Sequence, residues 1–182
     1  PVRPIYKGYP VYHPSSEPAG YFRGLEQREP EVLWDETHRP PLKTEADWIK
    51  AGELVFDAPI GYDTNTARLR ELDWYRKVEP KLAGDGSLPA SRYFIREKGK
   101  VELGTLACAD CHTRVLPDGT VVKGAQSNTL DGRAAAYDIR SSPTTATNDL
   151  RALGRALFAG PWLKAVDPVA LLDRMSLDER AY

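Results

Sequence analysis

The chain has only two cysteines. They stand three positions apart and a histidine follows the second, as Cys108-Ala109-Asp110-Cys111-His112. Few uses of such a cluster are compatible with the rest of the sequence. A structural zinc site needs four ligands, and the other two histidines, His13 and His38, lie far upstream without ligand spacing. A thioredoxin-like redox pair follows a strand and opens a helix inside a βαβ pattern. Here the preceding run, Lys100-Val101-Glu102-Leu103-Gly104-Thr105, is short and hairpin-like, and no βαβ rhythm surrounds it.

The pattern Cys-x-x-Cys-His resembles the attachment site of c-type cytochromes. The resemblance implies one covalent haem c. Cys108 and Cys111 would each form a thioether with a haem vinyl group, and His112 would be the proximal iron ligand. A second, looser resemblance lies at Ile49-Lys50-Ala51-Gly52-Glu53-Leu54-Val55-Phe56, which is similar to the first helix of class I cytochromes c. The implied fold is mainly α with β-hairpins: a cytochrome c-like haem domain with short helices around one haem, long loops and an extended N-terminal arm. The chain departs from that family in one respect. About fifty residues separate Phe56 from Cys108, where the family has a few. The expected organisation is therefore an arm over 1–43 and a haem domain over 44–182, with an insertion at about 57–104.

Hydrophobic residues make up 41% of the chain, enough for a core, and the net charge is −1. That balance gives no reason to expect nucleic acid or an anionic membrane surface as a partner. No stretch approaches the ~18–20 apolar residues of a membrane span. Pro1-Val2-Arg3-Pro4 carries no apolar core of a signal peptide. Since covalent haem attachment in the resembling family is extracytoplasmic, a signal or anchor preceding Pro1 and a periplasmic or extracytoplasmic location are expected.

Eight of the fifteen prolines lie within residues 1–41, interleaved with Tyr6, Tyr9, Tyr12 and Tyr21. Proline removes a backbone donor, so a helix or a central strand is not expected there. The aromatics favour an arm that wraps its own domain or a partner. A short helix over 26–34 would be interrupted by Pro30. Thr44-Glu45-Ala46-Asp47 reads as a helix start, with Thr44 as N-cap and the helix running to about Phe56. Leu69, Leu72, Trp74, Tyr75 and Val78 mark a helix or an extended segment. A turn at 84–87 precedes a hairpin over 92–103. A second hairpin runs from Thr113 to Lys123 around Pro117-Asp118-Gly119. Residues 124–147 read as a long loop. Helices are expected from Asn148 to Gly160 and from Asp167, and a capping box at Ser176–Glu179 opens a helix that the chain does not complete. The last feature gives the expectation of a chain that continues.

Opposite His112, the resemblance implies Met175 as the distal ligand, with His38 and His13 as alternatives. A thioether favours ferrous iron and raises the potential. Propionate contacts are expected from Arg114 and Trp162, with Arg92, Arg96, Arg133 and Arg140 as further candidates. The function implied is one-electron transfer rather than catalysis, by a cytochrome subunit or module of a larger redox assembly. Its partners would be redox proteins or other cytochrome subunits, with residues 1–41 available for a stable complex. The alternative is a peroxidase-like haem enzyme or a gas-sensing domain with an open distal site.

Overall fold

The computed structural model describes residues 3–38 and 41–128. It corrects the expected fold class. Of the described residues 29% are strand and 27% helical, so the described part of the chain is mixed α/β with more strand than helix, not mainly α. The strands all pair antiparallel. The physical reason is that the stretch between the first long helix and the motif supplies three of the four strands of the main sheet, and the proline-rich start supplies the fourth. Arg133, Arg140, Trp162, Met175 and the helices expected from Asn148, Asp167 and Ser176 lie outside the described residues.

The proline-rich start forms β1 (Ile5–Tyr6) and β2 (Gly8–Tyr12). β2 pairs with β5 (Ser87–Glu97), which pairs with β6 (Lys100–Thr105), which pairs with β4 (Gly61–Asp63). The order β2-β5-β6-β4 leaves β2 on an edge, where a proline costs no ladder hydrogen bond. The ladder also shifts register between Pro10 and Val11. Pro10 faces Arg92 and Val11 faces Leu88, so Pro89, Ala90 and Ser91 bulge from β5 between them. A second small ladder joins β1 to β3 (Val32–Trp34). Residues 26–34 are thus a turn and a strand after α1 (Tyr21–Glu26), rather than a helix.

α2 runs from Glu45 to Asp57 behind the Thr44 cap. The Asp47 N–H donates to Thr44 Oγ1 at 3.2 Å, and the Asp47 carboxylate accepts from the Thr44 N–H at 2.8 Å. Those bonds, with the Lys43 N–H, hold the Asp47 carboxyl below the usual carboxylate range. The helix stops at Ala58, because proline at 59 excludes the α conformation from its predecessor. A 3₁₀ turn (Ala67–Arg70) and α3 (Leu72–Val78) follow, burying Leu69 and Tyr75.

The main core packs Val11, Phe22, Leu25, Leu69, Tyr75, Leu88, Tyr93, Ile95, Val101 and Leu103 between the sheet and α1, the 3₁₀ turn and α3. Tyr93 stands edge-on to Phe22 with ring centres 5.4 Å apart. On β6, the nearly buried Glu102 carboxylate accepts from Arg96 Nε at 2.6 Å and Nη2 at 2.8 Å. Arg96 also lies over the Tyr62 ring at 4.0 Å. The β5–β6 turn is tight: Glu97 faces Lys100, and Gly99 takes φ 84°. β7 (Thr113–Val115) and β8 (Val121–Lys123) form the second hairpin, as the Pro-Asp-Gly turn leads one to expect. Its tip is latched to the 84–87 turn, where the Gly84 N–H donates to the Gly119 carbonyl at 3.0 Å.

Candidate functional site

The five-residue motif begins where β6 leaves the sheet. β4 and β6 run together to the pair Gly61↔Thr105. The Ile60 N–H then forks to the carbonyls of Thr105 (3.1 Å) and Leu106 (3.3 Å). Leu106 turns the chain sharply with φ 58°, a conformation costing an L-residue about 1–2 kcal/mol, and leaves its side chain 43% exposed. The extended Ala107 then opens α4, a single turn from Cys108 to Cys111.

A turn this short does not stand alone, since helix nucleation fixes several residues for one hydrogen bond. Asp110 supplies part of the hold: its carboxylate accepts from the Ala107 N–H at 2.9 Å. The His112 N–H closes the turn on the Cys108 carbonyl at 3.0 Å. α2 packs against α4, and the Lys123–Asp57 ion pair ties the end of α2 to β8.

At this spacing Cys108 and Cys111 share one helical face. Both are half-buried, and they are not joined by a disulfide. Burial pushes both thiols above the ordinary range, and the Asp110 carboxylate adds to the rise. For Cys108 its own backbone N–H and the Arg3 guanidinium oppose it. Arg3 is anchored by donating to the Pro59 carbonyl at 2.9 Å. A lowered pKa favours the nucleophile of thiol–disulfide exchange, and the burial of both thiols works in the opposite direction. Among the described residues no three His, Cys, Asp or Glu side chains converge as they would on a metal ion held by protein ligands alone.

His112 follows at φ −124°, ψ 35°, outside the regular helical and extended wells, with its residue exposed. No group among the described residues hydrogen-bonds to its ring. Thr113, only 1% exposed, carries an Oγ1 with no hydrogen-bond partner among the described residues. These features fit a c-type haem: two unpaired thiols on one face, an imidazole one residue on that no described residue engages, and exposed apolar side chains at Leu106 and Leu116 on either side of the motif in sequence.

The other expected residues lie elsewhere. His13 packs on Tyr75 with ring centres 4.5 Å apart, and its Nδ1 is engaged by Ser15. His38 sits in a turn closed by Asp35, whose Oδ1 lies 2.9 Å from its Nδ1. Among the described residues no hydrogen bond or ring contact joins either imidazole to residues 106–112, and none engages either Nε2. Arg114 gives its Nε to the Gln126 carbonyl at 3.1 Å. Arg92 bonds the carbonyls of Leu88 and Ser91, and Arg96 is committed to Glu102. Sequence reasoning missed Asp110, Arg3, Gly124, Ser127 and Asn128 as supports of the motif. Asp110 alone left a readable sign, an acidic residue at the third position of a capped turn.

No family model, no curated protein and no solved structure matches the chain.

Proposed function

We propose that this chain carries one covalently bound haem on Cys108 and Cys111, with His112 as proximal iron ligand, and works as a one-electron carrier within a larger redox assembly outside the cytoplasm. The observation that carries this reading is the state of the motif. Two unpaired and unacidified thiols share one helical face, and an exposed imidazole with no hydrogen bond to the described residues follows them. A bound haem would supply the change between ferrous and ferric iron. The chain's own contribution is to present the thiols on a fixed turn and to hold the His112 backbone in place. No helix among the described residues is long and apolar enough to cross a membrane. The distal ligand proposed is Met175, with His38 and His13 as alternatives that would each use Nε2.

The test is production of the 182-residue chain in a host that attaches haem to Cys-x-x-Cys-His sequences. The expected product keeps one haem through denaturation, seen by mass and by the absorbance of the denatured chain. The Cys108→Ser/Cys111→Ser double variant loses it. A parent chain that leaves such a host without haem would refute the proposal. Rapid CO binding with peroxide turnover in the resting protein would replace electron transfer by haem catalysis.

A further inference from the structure

We infer that Gly124–Asn128 form a clasp that sets the direction of the His112 ring, with Asn128 as its principal positioning residue. This inference rests on the haem reading for its purpose. Among the described residues nothing bonds the ring itself, so whatever these residues do to its direction they do through the His112 backbone. That backbone lies outside the regular wells and needs an external hold.

The hold comes from one short segment. The Gly124 N–H donates to the His112 carbonyl at 2.7 Å, and the Ser127 N–H donates to the Cys111 carbonyl at 2.9 Å. These two bonds satisfy carbonyls that the end of a helical turn leaves without intrahelical partners. Gly124 reverses the chain after β8 with φ 85°, and Ser127 is 3% exposed. The segment is fastened in turn to β7. Arg114 Nε bonds the Gln126 carbonyl at 3.1 Å. The Asn128 amide pairs with both backbone groups of Val115: Oδ1 accepts from its N–H at 3.0 Å, and Nδ2 donates to its carbonyl at 2.7 Å. Asn128 thus stands where a third strand would stand beside the hairpin. With the Cys108 carbonyl accepting the His112 N–H, both backbone groups of His112 are bonded, one to the motif and one to the clasp.

The test compares the haem-loaded parent, Asn128→Ala, and Ile95→Val as a control that loosens the sheet core away from the clasp. Amide hydrogen exchange and the ferric electron-paramagnetic spectrum are read on each. In Asn128→Ala, exchange at Gly124 and Ser127 is expected to accelerate about tenfold or more, and the ferric signal to broaden or split as the ring samples several directions. Ile95→Val should do neither. Faster exchange with an unchanged ferric spectrum would make the segment merely structural and overturn the inference. A changed spectrum without faster exchange, or equal effects in the control, would overturn it as well. Should Asn128→Ala fail to fold, Asn128→Asp, which keeps the acceptor and loses the donor, is read in the same way. A parent that takes up no haem defeats the haem reading alone. The clasp is then judged on the His112 ring resonances of the haem-free chain, where one environment in the parent and several in the variant support it. Identical resonances in the two chains overturn it.

Discussion

Gly104 stands four residues before Cys108 on β6, and its lack of a side chain is a packing requirement. A Cβ there would lie 2.5 Å from Phe94 Cε2 and 2.9 Å from both Cβ and Cγ of Pro59. Neither neighbour can swing into solvent. Phe94 is 2% exposed and packed edge-on to Tyr62 with ring centres 5.6 Å apart, and Pro59 is buried. Overpacking of this kind costs about 1–3 kcal/mol. For a small domain with a urea slope of about 1–3 kcal/mol/M, Gly104→Ala should lower the urea midpoint by roughly 1 M. Phe94→Leu removes the atom in closest conflict. In the double variant the penalties should therefore fail to add, with a favourable coupling of about 1 kcal/mol. The remaining conflict with Pro59 pushes on the Ile60 N–H that grips Thr105 and Leu106, so its amide should exchange faster in Gly104→Ala. A midpoint shift in Gly104→Ala of less than about a fifth of the expected amount, or simple addition of the two penalties, would refute overpacking at Gly104.

Two further substitutions probe the charges around the motif and the sheet. Asp110→Asn keeps an acceptor for the Ala107 N–H but removes the carboxylate charge that helps raise both thiols. The pH midpoint of alkylation by iodoacetamide in the haem-free chain should move down for both cysteines, and an unmoved or higher midpoint would contradict the electrostatics. The sign for stability is also fixed. Because the folded thiols titrate above their unfolded values, their contribution is intact below the unfolded thiol pKa and is lost as pH rises through the folded one. Asp110→Asn should lessen that alkaline loss in urea titrations of the haem-free chain. Glu102→Gln sets an amide N–H₂ against the Arg96 guanidinium on a nearly buried site; with Arg96 41% exposed and able to turn to water, the loss should be about 2 kcal/mol by urea denaturation. A neutral result would mean that the pair contributes registry rather than stability.

The local signals in the sequence mapped well onto elements whose stabilising contacts are themselves local. The Thr44 cap, the Pro117-Asp118-Gly119 turn and the Lys98-Gly99 turn each act within a few residues. The mainly α expectation failed where contacts are distant. β2 pairs with a strand some eighty residues downstream, and its proline hid it, because Pro10 is tolerable only on an edge and beside a register shift. β5 begins in Ser-Leu-Pro-Ala-Ser, which lacks alternation, since Pro89, Ala90 and Ser91 bulge opposite that shift. The motif's Cys-x-x-Cys-His spacing could be read directly from the sequence because it is local. Arg3 and Asn128 were not, because a guanidinium from the first strand region and an amide beyond the second hairpin reach the site only through the tertiary fold.

The location of the motif bears on how the site keeps its shape. A four-residue turn has almost no stability of its own, and Leu106 adds an unfavourable conformation at its start. Both are tolerable only because the turn is gripped at each end by structure anchored elsewhere. At the start, Ile60 holds Thr105 and Leu106 against β4 and β6. At the finish, Gly124 and Ser127 hold His112 and Cys111, and Asn128 fastens them to β7. The hairpin is in turn latched at its tip to the turn before β5. A single long helix would fix the cysteines but leave the following histidine to its own flexibility. Two separate grips hold the backbone that carries the thiols and the imidazole against the same sheet, so a group held by all three would meet a backbone frame settled before it binds.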